Sequence, residues 1–238
     1  MKVDILAVGV HPDDVELSAS GTCIRHIAAG KSLAILDLTE GELGTRGSAE
    51  LRLKEAEEAR QIIGAVERKN VGLADGFFQH DDHNIKKIIP YLRYFRPEIV
   101  LINALQDRHP DHGRAAKLVA DACFYSGLRK IETRWGEELQ TAWRPKAVYH
   151  YIQDVQLIPD FVVDISEFWE RKILAVKAFS SQFYDPNSKE PSSPISGKDF
   201  LDALEGKSRV FGRSINVEYG EGFQVARPIG VNNLFDLY

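Results

Sequence analysis

Two short polar clusters carry the chemistry available to this sequence. His11-Pro12-Asp13-Asp14-Val15-Glu16 sets an imidazole and two carboxylates within four residues, and Asp107-Arg108-His109-Pro110-Asp111-His112 repeats the His-Pro-Asp order further along. Ionisable groups this crowded repel and desolvate one another, and a divalent cation is the simplest partner that stabilises them. Two imidazoles, His11 and His112, with one carboxylate, Asp14, leave coordination positions open, as a catalytic zinc or ferrous site requires and a structural zinc site avoids. Asp13 is expected to point away from Asp14 and to act as general base toward a bound water; the competing reading is that it only caps the next helix. His109 suits a donor to a developing oxyanion or a leaving amine. Asp111 would fix the tautomer of His109 or, nearly as well, orient His112.

The elements around the clusters must bring them together. Each follows an apolar run that reads as a buried strand, residues 3–10 and 99–104, and each precedes a helix. Pro12 denies helical geometry to His11 and keeps it in the loop. In an open parallel sheet of order 3-2-1-4 the first and fourth strands are neighbours where the winding reverses, and ligands bind outside the carboxyl ends there. The expectation is therefore an α/β chain, a three-layer α/β/α Rossmann-like open and mostly parallel sheet, with the metal site at the carboxyl ends of strands 1 and 4.

The rest of the chain alternates accordingly. A helix over 19–29 stops at Gly30, a strand spans 32–38, and a loop over 39–47 carries glycines at 41, 44 and 47. It lacks the dinucleotide fingerprint, which belongs directly after the first strand. Ser48 caps a helix to Gly64; a weak strand follows at 66–73. Ile85, Ile88, Ile89 and Leu92 are spaced for a helix that Pro90 should kink or start late. A helix over 115–124 places His112 at its N-terminus. Strands are expected at 147–152 and 161–165, then a helix with Trp169, Ile173 and Val176 inward, a long loop over 184–196, a short helix near 200–204 and a partly apolar tail to Tyr238. His26, His80, His83 and His150 have no such companions and read as structural or solvent-facing.

Composition narrows the classes. The chain has 238 residues, 44% of them hydrophobic, enough for one domain over residues 1–238 with a sizeable core. Acidic residues outnumber basic ones 35 to 30, a formal charge of −5, so there is no broad basic footprint for nucleic acid or anionic membrane. No apolar run approaches the roughly 20 residues needed to span a bilayer; a soluble, cytoplasmic chain is expected. Cys23 and Cys123 form no metal-type pair and read as buried free thiols.

His11-Pro12-Asp13-Asp14 with His109-Pro110-Asp111-His112 resembles the LmbE/PIG-L superfamily of zinc-dependent N-acetylglucosaminyl deacetylases. The resemblance extends through the glycines at 41–47, Glu50-Leu51-Arg52, Asp107-Arg108, Ser181-Gln182-Phe183 and Glu221-Gly222-Phe223 to the bacillithiol-biosynthesis branch. It implies zinc on His11, Asp14 and His112, with ferrous iron as the alternative. It further implies Asp13 as base, His109 with Asp111 steadying the tetrahedral intermediate, N-acetylglucosaminyl malate as substrate, glucosaminyl malate and acetate as products, and a homo-oligomer, a hexamer. Some relatives add a late-loop tyrosine; here Phe200 aligns, so that role is unassigned, with Tyr184 as the one candidate. An acidic protein must neutralise the malate carboxylates locally, and Arg52 and Arg108, with Arg46 third, are the candidates. The residues alone support a metal-dependent amide hydrolase. Alternatives are a broader N-acetylglucosamine-type deacetylase, a thiol-conjugate amidase, a ferrous oxygenase with a His11-x-Asp13 and His112 triad, or a silent sugar- or nucleotide-binding domain.

Overall fold

β1 (Ile5–Gly9) and β2 (Leu33–Asp37) are buried along their whole length, as strands covered on both faces must be. The computed structural model describes residues 1–236, and Leu237 and Tyr238 at the end of the expected tail lie outside the described residues. β1 runs parallel to β2 on one side and to β4 (Ile99–Ile102) on the other, with Ile5 opposite both Leu33 and Ile99. β3 (Glu67–Asn70) extends the sheet beyond β2, and β7 (Ala147–Tyr151) extends it beyond β4, both parallel. β9 (Gly220–Val225) is antiparallel to β7, and β8 (Phe161–Asp164) is antiparallel to β9. The order is β3-β2-β1-β4-β7-β9-β8. A separate hairpin pairs β5 (Arg134–Trp135) with β6 (Glu138–Leu139).

Alternate residues of β1 face opposite layers. Leu6 and Val8 pack with Ile88, Ile89, Leu92 and Val119, from α4 (Asp82–Phe95) and α5 (Pro110–Tyr125). Ile5 and Ala7 pack with Val15, Ile24, Ile63 and Ala175, from α1 (Asp14–Ser18), α2 (Ser20–Ala28), α3 (Ala49–Ile63) and α6 (Trp169–Lys177). The expected α/β/α layering is thus present, and both clusters leave adjacent strand ends at the point where winding reverses.

Beyond the unexpected short α1, the β5–β6 hairpin and the earlier start of α5, three further elements depart from the sequence reading. α4 starts at Asp82, capped by the Asp81 side chain accepting from Asn84 N at 2.8 Å, and runs through Pro90 without the late start. Burial of Ile85, Ile88, Ile89 and Leu92 on one face offsets the roughly 3 kcal/mol an internal proline costs. The short helix near 200–204 is in fact α7 (Lys198–Ser214), its extent disguised by Gly206 and Gly212. The tail contains β9, which inserts between β7 and β8 with two glycines of low strand propensity. A Cβ on Gly220 would stand 2.5 Å from Val162 and one on Gly222 3.0 Å from the Phe211 ring, so close packing selects glycine there.

Two buried ionic clusters fix the site-bearing α1. Arg68 pairs with Glu16 at 2.6 Å and Asp37 at 2.6 Å while donating to Ala56 O, tying α1 to β2 and α3. Lys172 donates to Leu17 O at 2.7 Å and pairs with Glu221 at 2.6 Å, and Glu221 accepts from Gly21 N and Thr22 N at the start of α2.

Candidate active site

Asp14 is the most firmly held side chain of the site. Its Oδ2 accepts from Val10 N (2.9 Å), His11 N (3.0 Å) and Asn103 Nδ2 (2.9 Å), and its Oδ1 accepts from Gln153 Nε2 (3.1 Å) and faces His112 Nε2 at 3.2 Å. His11 Nδ1 lies 3.7 Å from Asp14 Oδ2. The three residues expected to share a metal therefore converge. Burial raises the Asp14 carboxyl, but the charges and hydrogen bonds of His112 and His11 outweigh it and hold the group far below the usual carboxylate range.

Each of these histidines is gripped from behind by a carboxylate. His112 Nδ1 meets Asp107 Oδ2 at 2.5 Å, and His11 Nε2 meets Asp75 Oδ1 at 3.0 Å with Asp111 Oδ2 at 3.6 Å. The second ring nitrogen of each, His112 Nε2 and His11 Nδ1, is the one turned toward Asp14. A carboxylate behind a histidine fixes ring and tautomer and raises its basicity, the usual support of a metal-binding imidazole. Burial pulls both imidazoles down; Asp111 and Asp75 raise His11 to about 10, and Asp14 and Asp107 raise His112 to about 9. Two oriented imidazoles and an anchored carboxylate suit zinc or ferrous iron. A second donor set, His11, His109 and His112, brings ligand atoms within 4.8 Å of one another.

Asp13 turns the other way. Its φ of 131° is a conformation L side chains rarely adopt, and it makes no side-chain cap to α1, so the capping reading is not realised. Instead Oδ2 accepts from Arg52 Nη2 at 2.7 Å, and the same guanidinium donates to Pro12 O at 3.0 Å. Burial is the largest influence on Asp13 and, against Arg52, lifts its carboxyl to about 6. Arg52 reaches this point because residue 41 is glycine: at φ 65° a Cβ there would lie 2.2 Å from its Nη1.

His109 stacks on His112, ring centres 5.1 Å apart, and its Nδ1 accepts from Asp111 N at 3.3 Å. That leaves Nε2 to carry the proton of the neutral ring, and burial together with the charges of His11 and His112 lowers the pKa of His109, favouring that neutral form. The Asp111 carboxylate does not hydrogen-bond to His109, as the sequence reading expected; it accepts from Gly76 N (2.9 Å) and Arg114 Nη1 (2.9 Å) and faces His11. The tautomer is instead set by the Asp111 amide.

A cavity of about 600 Å³ opens over these groups, walled by Leu43, Gly44 and Thr45, by Ser193, Pro194 and Ile195, and by one face of α7 with Phe200, Leu204 and Lys207. Phe200 faces the cavity, and Tyr184, 48% exposed, is not part of its lining. The three arginines separate. Arg108 lines the cavity and pairs with Asp154; Arg52 lines it with its two Nη groups bonded to Asp13, Pro12 and Gly41; Arg46 is outside it, tying Phe183 O and Ser188 Oγ. Against the expectation of three substrate clamps, the Nη groups of Arg52 and Arg46 are taken up by acceptors of the protein itself, and Arg108 is the one of the three whose Nη groups make no hydrogen bond among the described residues.

Asp75, Asn103, Gln153 and Lys207 escaped the sequence reading. Asp75, Asn103 and Gln153 lie in loops past strand ends and Lys207 on α7, each outside the two crowded motifs. His26, His80 and His150 bond to Thr22 O, Asp121 and Asn103 O away from the cavity lining, and Cys23 and Cys123 are buried and free, as expected.

The profile of the GlcNAc-PI de-N-acetylase family, PIG-L, matches residues 6–123, which contain every proposed metal ligand. A diacetylchitobiose deacetylase of Thermococcus kodakarensis is 29% identical over 193 residues, 75% of this chain and 70% of that protein. The Escherichia coli protein described as uncharacterized deacetylase YaiS is 30% identical over 145 residues, 58% of this chain and 75% of its own. A 4-oxalmesaconate hydratase of Pseudomonas putida is 26% identical, covering 96% of this chain and 91% of its own. Among solved structures, the conserved protein TT1542 from Thermus thermophilus superposes with a TM-score of 0.85 at 34% identity, covering 96% of this chain and 97% of its own.

Proposed function

The chain belongs to the PIG-L family of deacetylases, and from that premise we propose that it removes acetate from N-acetylated amino sugars with a zinc ion held by His11, Asp14 and His112. The observation carrying this reading is the pair of carboxylate-backed imidazoles whose second nitrogens both turn toward Asp14. A divalent cation bound there supplies Lewis-acid polarisation of an amide carbonyl and lowers the pKa of water. Asp13 Oδ1, the oxygen that Arg52 does not take, accepts the proton of the attacking water. His109 Nε2–H donates to the oxygen that gains charge at the acyl carbon. The proton held on Asp13 then passes to the amine nitrogen as the C–N bond breaks, giving acetate and free amine. Ferrous iron fits the same donors.

Within that class we assign N-acetylglucosaminyl malate as substrate, with Arg108 on the cavity wall meeting a malate carboxylate. The apolar α7 face then borders the sugar. A homo-oligomer, taken as a hexamer, completes the reading, supported by the exposed Ile229, Val231, Leu234 and Phe235. No helix among the described residues is long and apolar enough to cross a membrane.

The deciding experiment supplies zinc-loaded protein with N-acetylglucosaminyl malate and with N-acetylglucosamine and follows free amine. Release from both supports deacetylation, and preference for the malate conjugate that Arg108→Ala removes supports the finer assignment. Zinc content is measured beside it: Asp14→Asn and His112→Ala should lose the metal, and His109→Ala should keep it. The likeness to a hydratase favours a second reading, water addition to a carbon–carbon double bond of an unsaturated acid. Loss of ultraviolet absorbance of such an acid, with no amine released from either sugar, would decide for it.

A further inference from the structure

The wall of the cavity formed by residues 41–47 has no direct bond to the proposed metal ligands, yet one buried carboxylate touches both. Asp75 Oδ1 lies 3.0 Å from His11 Nε2, and Asp75 Oδ2 accepts from Leu43 N at 3.0 Å. The Asp75 amide in turn donates to Glu42 Oε1 at 2.8 Å, so residues 42 and 43 grip residue 75 from two sides. Leu43, Gly44 and Thr45 face the cavity, and Asp75 is only 6% exposed. Neither oxygen of this carboxylate can shift without disturbing its other partner.

We propose that Asp75 is a positioning residue coupling the 41–47 loop to the metal ligand His11, so that metal binding at His11 and ordering of the cavity wall favour one another. The proposal rests on His11 being a ligand, as argued above. A divalent cation held at Nδ1 would fix the position of the His11 ring, whose Nε2 lies 3.0 Å from Asp75 Oδ1. A ring fixed there would steady the Asp75 carboxylate, whose Oδ2 accepts from the Leu43 amide. Reciprocity requires that a sugar seated against Leu43, Gly44 and Thr45 tighten the metal by the same factor. Asp111, the other carboxylate near Nε2, is 3.6 Å away and engaged with Gly76 and Arg114, so it serves His11 without reaching the loop.

Two measurements test this, zinc affinity by competition with a chromophoric chelator and amide hydrogen exchange at Leu43 with and without zinc. In the wild type, zinc should slow exchange at Leu43, and N-acetylglucosamine should lower the zinc dissociation constant. Asp75→Asn keeps the shape but offers one acceptor oxygen where two are needed. It should weaken zinc by about 10- to 100-fold, the usual cost of losing a partner behind a metal-binding histidine. Leu43 exchange should then no longer respond to zinc, while exchange of the β1 amides, read as the check on folding, stays that of the wild type. Zinc that binds the wild type without protecting Leu43 overturns the coupling even if the variant does not fold. Wild-type affinity in Asp75→Asn overturns the positioning role, and a wild type that binds no zinc overturns the metal reading with it.

Discussion

Adjacent aspartates divide the work because their backbones differ. Asp14 sits in helical geometry at the start of α1 with its carboxylate anchored by two amides, whereas Asp13 at φ 131° is swung toward Arg52. Asp13→Asn should therefore keep zinc and lose about 10²- to 10⁴-fold in kcat, the typical contribution of a general base; loss of zinc would show that the two roles are exchanged. Arg52 is the charge that draws the Asp13 carboxyl down against the larger effect of burial. Removing it in Arg52→Met should raise the Asp13 pKa, so the acid limb of the pH profile of kcat/KM moves to higher pH. An unmoved limb would mean that Asp13 is not the group that must be ionised. Sequence spacing exposed His11, Asp13, Asp14, His109 and His112, since chemistry-bearing residues were crowded into two motifs. Asp75 and Gln153 were hidden because a lone acid or amide in a loop has no local signature, and only the fold brings them to the site.

Elements were legible to the extent that their own periodicity decides them. β1, β2 and β4 are continuous apolar runs, and their neighbourhood followed from the reversal of winding. α7 and β9 were obscured by glycines whose value lies in close tertiary contacts: Gly212 approaches the backbone at Glu218 and Tyr219, just before β9, and Gly222 meets Phe211 of α7. The glycines of the 41–47 loop serve a similar end, since Gly41 and Gly44 leave room for the Arg52 guanidinium. Gly41→Ala should displace that side chain and move the acid limb of kcat/KM to higher pH as Arg52→Met does, while core stability by urea denaturation changes little; an unmoved limb would sink this account. Between elements, the Lys172–Glu221 pair is almost wholly buried. Glu221→Ala strands the ammonium and two α2 amides, for an expected loss of about 3–5 kcal/mol by denaturant titration, and Lys172→Met in that background should restore much of it. If the double variant is no better than the single, the lost energy belongs to the α2 amides instead.

At the scale of the whole molecule, the site couples metal, protons and stability. In the metal-free protein burial lowers both imidazoles, but Asp111 and Asp75 raise His11 to about 10 and Asp14 with Asp107 raises His112 to about 9, so both carry protons at neutral pH. Because these values lie above the ordinary one of about 6.5, the stability they contribute is fully present below it and is lost as pH rises through about 9 to 10. Zinc has the opposite slope: it needs both nitrogens bare on the side facing Asp14, so binding releases up to two protons and tightens as pH rises. Zinc in hundredfold excess over its dissociation constant adds about 2.7 kcal/mol. For a chain of this length that is a rise in Tm of about 5–11 °C, at roughly 2–4 °C per kcal/mol. At fixed free zinc the rise should shrink steeply between about pH 8 and pH 6, each released proton weighing about 1.4 kcal/mol per pH unit. Scanning calorimetry with zinc and with a chelator across that range checks it. A zinc-induced rise that is independent of pH, or that persists in His112→Ala, would remove the two-imidazole site from the account.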